Sequence, residues 1–391
     1  MDFKALHRFL LNRGMVYLYS AFIAGYFLLP MAAGHRRAYY ILVLPAAVLL
    51  WRELRDFYRE NLLSALLLIY CLYMMTGLAW TDDFTALGAL QSLGHALCVL
   101  SFCYISGYLW VEHAAQMDQL ARRVTWLAGA AALVSILAWY VANPFPFSRL
   151  EPLGVMHHQN KAASAYGVFL VLTMHFLVTD KPGRMRLVYA AIATVLLALV
   201  AFTQSRTAMA GVTVGLLVLL GYRGLGIAIV GVICLWALMW LTPEFWDNRV
   251  GDYSFRPGIW ESVIESMQGH WLAGHGYLVD PRVHAYEQMF DHAHNSYLGT
   301  LRDGGLIGLL LLMAILAVAL SWAWTLHKQG GERIYLALLL YGMTSITMDY
   351  DRLLLGPREI WLFFWLPIAL IMATYPARTL SEPARYPGFN R

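Results

Sequence analysis

Long apolar runs separated by short polar segments recur along nearly the whole chain, and they constrain its fold more than any other feature. Several runs reach the roughly 20 residues that an α-helix needs to cross the hydrocarbon core of a bilayer. Backbone groups in lipid must be hydrogen-bonded within the protein, so runs this long predict helices. The composition agrees, because 60% of the residues are hydrophobic and only 13% are charged. The chain is therefore predicted to be an all-α, polytopic membrane protein that forms a single integral membrane domain.

Reading the runs in order predicts about twelve transmembrane helices. The second run is short and the polar break between residues 203 and 207 is tight, so this number carries a margin of about one hairpin. The runs lie near residues 15–33, 38–51, 61–80, 86–110, 124–142, 162–179, 186–203, 207–222, 224–241, 304–326, 333–348 and 358–374.

Lysine and arginine set the predicted orientation, because short cytoplasmic loops carry an excess of both. With the N-terminus inside, most of the 28 Lys and Arg residues fall in inside segments. Several of the others lie in one long outer loop, where charge has little influence on orientation. The short outer segment His35-Arg36-Arg37 argues the other way. Both termini are predicted to be cytoplasmic, and the basic N-terminal stretch predicts an uncleaved first span.

Residues able to bind a metal are scattered. Most of the 13 histidines fall outside by this topology, but no outer pair has the four-residue spacing on a helix that zinc hydrolases use. The alternative interpretation is a metal site whose ligands are His292, His294 and either His157 or His284. The cysteines lie inside apolar runs and are expected to be small core residues. They are Cys71, Cys98, Cys103 and Cys234. The sequence thus predicts no metal and no other cofactor.

One mid-sized outer loop, residues 242–303, is predicted between helices nine and ten. Within it, Pro257 opens a stretch that predicts short helical structure with proline in the first turn. Apolar residues then recur at four-residue spacing, so this helix is expected to lie on the membrane surface or to cap a cavity. Further along, Gly274 and Gly276 predict a tight turn.

The segment His292-Ala293-His294-Asn295 closes this loop just before the next apolar run. Ionisable groups at such a boundary are usually kept for function. If helix ten begins near Asn295, His294 shares one helical face with Leu298 and Arg302, and an imidazole and a guanidinium would line one cavity. The alternative is an interfacial histidine with no role. We expect His294 to be functional.

Two arginines are predicted to face the same side as His294. Arg206 lies between two apolar runs with almost no loop, among polar neighbours that include Ser205. The rigid fork of hydrogen-bond donors on its guanidinium suits phosphate oxygens, so Arg206 is predicted to bind phosphate. The alternative is that Arg206 only extends its charged group to the membrane surface from a helix end. Arg256 precedes the short loop helix, whose N-terminus favours anions.

Two guanidinium groups and one imidazole on one face fit transfer from a lipid-linked donor that carries a diphosphate. The arginines would offset charge on the leaving diphosphate, and the imidazole would take a proton from an acceptor hydroxyl. No paired carboxylates of the glycosidase kind are evident, which disfavours simple hydrolysis.

Three motifs in order resemble those of the O-antigen ligase and polymerase superfamily. The run from His294 to Gly308 resembles its His-Asn-x-x-Leu…Gly-x-x-Gly signature. Ser205-Arg206 looks like its Ser-Arg motif, which opens a transmembrane helix. Arg256 and Trp260, followed by Gly274-His275-Gly276, are similar to its Arg…Trp…Gly-x-Gly stretch.

The resemblance is concentrated in residues 203–308 and implies a GT-C-like glycosyltransferase at the periplasmic face of the bacterial cell inner membrane. Such enzymes transfer a glycan from undecaprenyl diphosphate without a metal or nucleotide sugar, with inversion at the anomeric carbon. His294 would be the base that activates the acceptor hydroxyl, and Arg206 and Arg256 would bind the diphosphate. Supporting positions would be Asn295, Ser205, Arg302, Trp260, Asp349 and Asp351.

Asp349 and Asp351 lie where the resembled family tends to have an acid on the outer face. The alternative for this segment is a local ion pair, of Asp351 with Arg358 or through Arg352.

The acceptor depends on the branch of the superfamily. In the ligase branch it is lipid A–core, and in the polymerase branch it is another repeat unit. A 391-residue chain with one mid-sized late loop favours the ligase. A transporter for the lipid-linked glycan is the competing class, but no paired inverted repeat is evident. The expected partners are the lipid-linked donor, the lipid A–core acceptor and membrane lipids, with no nucleic acid.

Overall fold

The computed structural model describes residues 3–145, 148–222, 226 and 255–379, and within these ranges the protein is mostly helical. Seven helices of this part are long and apolar enough to cross a membrane. Two shorter apolar helices accompany them. This is the pattern of a polytopic membrane protein, as predicted, while the total of twelve spans stays a prediction. The predicted ninth span, Cys234 and the first part of the long loop lie outside the described residues.

The helices follow the apolar runs of the sequence. In chain order they are α1 (Phe3–Phe9), α2 (Met15–Leu28), α3 (Ala32–Ala38), α4 (Leu44–Leu49), α5 (Trp51–Phe57), α6 (Leu62–Thr76), α7 (Ala86–Glu112), α8 (Ala114–Ala142), α9 (Gln159–Thr179), α10 (Arg184–Phe202), α11 (Arg206–Leu220), α12 (Arg256–Ser266), α13 (Ser296–Gly330), α14 (Ile334–Ser345) and α15 (Leu366–Thr379). Single π-helical turns lead into α2, α4 and α15; they are Leu10–Gly14, Tyr39–Val43 and Trp361–Trp365.

The helix predicted over residues 304–326 begins earlier than hydropathy indicates. It starts at Ser296, because the Asn295 side chain accepts hydrogen bonds from the N–H groups of Tyr297 (2.9 Å) and Leu298 (3.2 Å) and so caps the first turn. The polar residues of its first turns are packed inside the protein, where a hydropathy profile does not detect a span.

The described part is not all-α, because a two-stranded antiparallel hairpin lies in the long loop. Strand β1 (Val283–Ala285) pairs with β2 (Gln288–Phe290). The turn residues Tyr286 and Glu287 both have positive φ, 49° and 60°. That combination is typical of a type I′ turn, which usually contains Asn or Gly. With neither residue type at the turn, the sequence carries no hairpin signal.

The predicted short helix with proline in its first turn is confirmed as α12. Its buried residues Ile259 and Val263 pack against Val283 and Ala285 of the hairpin. Buried Ala293 belongs to the same small apolar cluster. The helix therefore joins the hairpin to the histidine segment that precedes α13.

The centre of the helix bundle is formed by α9 and the last helix. In each of these two helices, 67% of the apolar window is buried inside the protein. Trp361 and Trp365 are fully buried, and their indole N–H groups donate to the carbonyls of Leu355 (3.1 Å) and Leu353 (3.0 Å). Three of the cysteines are buried free thiols, as predicted; they are Cys71, Cys98 and Cys103.

A break in α13 at Gly305 lets the long loop dock onto the bundle. Gly305 has φ 62° and ψ −164°, a conformation that is essentially restricted to glycine. At the break, the Leu306 N–H donates to the carbonyl of Trp271 (2.8 Å). The carbonyls of Arg302 and Asp303 accept from the loop segment His275-Gly276, at 2.8 and 3.0 Å. The loop thus supplies backbone partners that an unbroken helix would supply itself.

Replacing Gly305 with alanine is expected to destabilise the protein. A Cβ at this position would lie 2.3 Å from the Leu272 carbonyl oxygen, and the backbone conformation itself costs a non-glycine residue about 1–3 kcal/mol. We expect a lower Tm for Gly305→Ala in thermal unfolding of the purified protein. The matched control is Gly94→Ala in α7, where a Cβ meets nothing within 4 Å. Equal Tm values for the two variants would contradict the requirement for glycine at the break.

Candidate functional site

The polar residues singled out by the sequence converge at one end of the helix bundle. The loop before α9 is tied to the α10–α11 turn by a hydrogen bond from the Leu150 N–H to the Phe202 carbonyl (3.0 Å). The start of α13 is tied to the end of α14 by a hydrogen bond from the Ser296 N–H to the Ile346 carbonyl (2.9 Å). The first link joins the loop before α9 to the start of α11, and the second joins the start of α13 to the segment after α14.

His294 is held in a constrained backbone conformation just before α13. Its φ is 49°, which is uncommon for a residue other than glycine. Its N–H donates to Nδ1 of His292 (3.0 Å), and the two rings lie 4.1 Å apart. The Trp260 indole donates to the neighbouring Ala293 carbonyl (3.1 Å). Trp260 therefore positions the segment around His294 by its hydrogen bond to the Ala293 backbone, and Asn295 positions it by capping α13.

Asp349 lies directly beside the His294 imidazole. The His294 Nδ1 and the Asp349 Oδ1 are 3.5 Å apart. The histidine side chain is 30% exposed and the aspartate only 6%, so the carboxylate is buried behind the ring. Among the described residues, Asp349 Oδ2 has no hydrogen-bond partner. A buried carboxylate on one ring nitrogen leaves the other nitrogen to meet a substrate.

The prediction that His294, Leu298 and Arg302 share one helical face is wrong, because α13 begins two residues after His294. Arg302 also does not line a cavity with the imidazole. The residue is only 4% exposed, and its guanidinium donates to Asp303 (2.9 Å) and Asp351 (2.8 Å). Burial of a charge requires such paired partners, and here they come from two segments of the chain.

Asp351 therefore serves the Arg302 ion pair rather than facing the site. The alternative pairings of Asp351 are wrong as well, since the Arg352 Nε lies 2.5 Å from Asp303 Oδ2 and the Arg358 Nε lies 3.6 Å from Glu359 Oε1. Of the two predicted outer-face acids, Asp349 contacts His294, whereas Asp351 forms an ion pair with the buried Arg302.

Arg206 and Arg256 are each the first residue of a helix, α11 and α12. Ser205 caps α11, and its hydroxyl accepts from the Ala208 N–H (3.4 Å). Burial lowers the pKa of Arg256, the Asp349 charge raises it, and the Arg206 charge lowers it. The two guanidinium groups and the carboxylate are thus electrostatic neighbours. Within the described ranges, neither arginine has a carboxylate ion-pair partner.

Three basic residues before and at the start of α9 also belong to this surface, and sequence reasoning gave them no role. Arg149 donates to the Thr203 carbonyl (2.8 Å) and to the Asn160 side chain. Burial lowers the pKa of His158, with further effects from the charges of Lys161, Asp349 and Arg149. Their only sequence signal is that basic residues cluster just ahead of an apolar run.

The arrangement is suited to anion binding next to a proton acceptor. The charges of Asp349 and Arg206 both act on Arg256, so a phosphate-bearing ligand bound by these arginines would lie near the imidazole that contacts Asp349. In the part of the chain that the structure describes, no group of three or more His, Cys, Asp or Glu side chains is arranged to hold a metal ion.

The chain is similar in sequence to known proteins. A family model described as O-antigen ligase matches residues 190–313. A curated protein from Pseudomonas aeruginosa (strain PAO1), named O-antigen ligase, is 30% identical over 383 residues, which is 93% of this chain and 91% of the relative. The family match includes Arg206, Arg256 and His294, whereas Asp349 and Lys161 lie outside it.

His292 provides a pH-dependent contribution to this geometry. Burial, together with the neighbouring His294, lowers its pKa to about 4. In the neutral form its Nδ1 accepts the His294 N–H, and in the protonated form both ring nitrogens are donors and this hydrogen bond is lost.

Because this folded-state pKa lies below the ordinary value of 6.5, the stabilisation is fully present above pH 6.5 and is lost as the pH falls towards 4. We expect His292→Asn, whose amide oxygen can accept the same N–H without titrating, to lose less Tm than the wild type over this pH range. Thermal unfolding at several pH values measures this difference. The control is His284→Asn, on the exposed face of β1. If Tm falls equally with decreasing pH in the wild type and in His292→Asn, the role of His292 is refuted.

Proposed function

The chain belongs to the O-antigen ligase family, and we propose that it transfers a glycan from undecaprenyl diphosphate to lipid A–core at the periplasmic face of the bacterial inner membrane. The proposal treats the protein as a membrane glycosyltransferase of the GT-C-like class. The relative from Pseudomonas aeruginosa bears the ligase name and aligns over nearly the whole chain, which favours the ligase over the polymerase branch.

The observation that carries the proposal is the pairing of His294 with Asp349 near two arginines that have no carboxylate partner within the described ranges. The carboxylate lies 3.5 Å from Nδ1, so it favours the tautomer with the proton on Nδ1. The Nε2 atom is then the proton acceptor. In this proposal His294 is the general base towards the acceptor hydroxyl, and Asp349 is a positioning residue.

Arg206 and Arg256 are proposed to bind the diphosphate of the donor. Both are free of carboxylate partners within the described residues, and each stands at a helix N-terminus, where backbone N–H groups favour anions. Arg206 is exposed, so it is accessible to a ligand that approaches from the surface. Paired guanidinium groups offset negative charge that grows on the diphosphate as it leaves.

The proposed reaction is a single displacement. The acceptor hydroxyl oxygen forms a bond to the anomeric carbon, and the bond from that carbon to the diphosphate oxygen breaks. The bonding electron pair leaves with undecaprenyl diphosphate, and the hydroxyl proton passes to His294. Attack from the side opposite the leaving group inverts the anomeric configuration. The ring nitrogen and the arginines share one surface, which supports such a direct transfer.

The orientation in the membrane remains part of the proposal. Under the predicted topology, the starts of α9 and α11 and the α13 segment face the periplasm, where lipid-linked glycans are presented. The hydrogen bond between the loop before α9 and the α10–α11 turn supports a common side of the bilayer for the starts of α9 and α11.

His294→Ala is expected to lower transfer by about 10²–10⁴-fold, the usual contribution of a general base. The assay uses purified protein in nanodiscs, the undecaprenyl-diphosphate-linked glycan and lipid A–core, with the product separated by gel electrophoresis. His284→Ala, on the exposed face of β1, should retain activity. Retained transfer by His294→Ala with an unchanged Tm would remove the base role. Lengthening of the lipid-linked glycan without transfer to lipid A–core would identify a polymerase instead.

Arg206→Lys is expected to lower kcat/KM roughly tenfold, because lysine keeps the charge but loses the bidentate fork for phosphate oxygens. The same transfer assay measures the change as a function of donor concentration. Arg184→Lys is a matched control, since Arg184 is also the first residue of an apolar helix and is exposed at the opposite end of α10. Equal activity of both variants would indicate that Arg206 only snorkels at its helix end.

A further inference from the structure

Two neighbouring apolar residues of the long loop, Trp271 and Leu272, are exposed and take no part in the proposed transfer step. They are 43% and 67% exposed, and we call this pair the loop tip. No Asp, Glu, Lys or Arg occurs from residue 266 to residue 279, although the rest of the loop is rich in charge. Large apolar side chains that are exposed side by side in an uncharged stretch mark an interaction surface.

Backbone hydrogen bonds fix the position of the loop tip beside α13. The Leu306 N–H donates to the Trp271 carbonyl (2.8 Å), and the Ile307 N–H donates to the Leu272 carbonyl (3.3 Å). The loop tip therefore lies at the same height along α13 as the two residues that follow the break at Gly305.

The face of α13 that meets lipid begins at this height. Residues 299–305 of the helix are all buried, whereas large exposed apolar side chains follow the break. They are Leu306, Ile307, Leu310 and Met313. No charged residue occurs from residue 306 to residue 326, which is the length of a transmembrane segment. Only 33% of the apolar window of this helix is buried inside the protein, so most of it faces lipid.

The length of α13 places Leu306 at the boundary of the hydrocarbon core. Near the other end of the helix, the Lys328 ammonium lies 5.1 Å from the centre of the Trp324 ring. Such aromatic and basic residues are typical of a membrane–water interface. From Trp324 to Leu306 the helix rises about 27 Å at roughly 1.5 Å per residue, and the hydrocarbon core is roughly 30 Å thick. Leu306 and the loop tip beside it therefore lie at the opposite boundary of the core.

The connection between α6 and α7 marks the same boundary. The loop backbone after the tip packs against the end of α6, because a Cβ at Gly276 would lie 2.6 Å from the Gly77 carbonyl oxygen. Trp80 and Phe84, in the connection itself, are 39% and 56% exposed. Exposed aromatic residues are enriched where spans leave the membrane. Three exposed aromatic residues, one of them Trp271, thus lie where these spans end.

The turn that carries the loop tip is ordered within the protein. The Gly274 N–H donates to the His270 carbonyl (2.8 Å), and the His275 N–H donates to the Arg302 carbonyl (2.8 Å). The His275 Nε2 lies 3.0 Å from the Ser266 carbonyl oxygen at the end of α12. Because these contacts already fix the backbone, burying the two side chains in another phase orders little additional chain.

We propose that the loop tip inserts into the lipid leaflet on the side of the candidate site. Leu272 enters the acyl-chain region, and the Trp271 indole lies at the level of the lipid head groups. Lipid is the partner because the loop tip continues the lipid-facing surface of α13 at the hydrocarbon boundary and carries no charge. The inserted tip holds the end of α12 at the membrane surface. This membrane anchor goes beyond the proposed transfer reaction and does not depend on it.

The test places a nitroxide spin label at position 272 of the full chain in phospholipid nanodiscs. Leu272→Cys is made after replacement of the four native cysteines by alanine, and power-saturation EPR measures accessibility to oxygen and to a neutral nickel chelate. We expect the oxygen-to-chelate ratio to exceed that of Met289→Cys roughly tenfold, because hydrocarbon excludes the polar chelate. Met289 is the matched control, since it is 59% exposed on strand β2. Leu310→Cys, on the lipid-facing side of α13, gives the ratio expected in lipid.

Equal ratios for Leu272→Cys and Met289→Cys would place the loop tip in water and overturn the insertion. Low accessibility to both reagents would show a protein cover, such as a second copy of the chain, and would also overturn it. Hydroxyl-radical footprinting of the unaltered chain in nanodiscs checks the result without substitutions. Trp271 should be oxidised severalfold more slowly than Tyr286, which is 57% exposed at the hairpin turn, and equal oxidation would contradict insertion. Both measurements are made without turnover, so a failure of glycan transfer would bear on the proposed function alone.

Discussion

Buried ion pairs between the broken helix α13 and the segment after α14 hold together the part of the candidate site that contains His294 and Asp349. Arg302 and Asp303 lie at the break, and Asp351 and Arg352 come from the other segment. Removing one partner of such a buried network costs about 3–5 kcal/mol, because the remaining charge stays buried without compensation. The same turn of α13 accepts the backbone of the long loop. The network therefore fixes the distance between His294, which precedes α13, and Asp349, which precedes Asp351.

The site combines a constrained histidine with neighbouring cations. His294 has a positive φ and is held from several directions, by the cap of α13, by the hydrogen bond to His292 and by the apolar cluster beneath Ala293. A residue that several contacts hold in an unfavourable backbone conformation is typical of functional sites. Arg206 and Arg256 lack carboxylate partners among the described residues. The proposed transfer reaction rests on this combination of a constrained imidazole and neighbouring cations.

Individual residues show how far the sequence could predict the site. His294, Arg206 and Arg256 carry local signals, namely a motif, a helix start and a charge at a membrane boundary, and the structure brings all three to one surface. Arg302 was misjudged because helical spacing alone does not reveal a buried counter-ion 49 residues away. Asp349 carries only a weak motif, and its proximity to His294 depends on how α13 and α14 pack. The β1–β2 hairpin was missed because its turn lacks the glycine and asparagine that mark such turns.

The sequence by itself determined that this is a polytopic helical membrane protein of the O-antigen ligase family, because hydropathy acts over one helix at a time and motifs are read along the chain. It also determined most helix positions. Only the tertiary structure decided which carboxylate meets His294, which one neutralises Arg302, and that the start of α9 joins the site. These pairings link residues far apart in the chain, and burial of each charge depends on partners that only packing of the helices supplies.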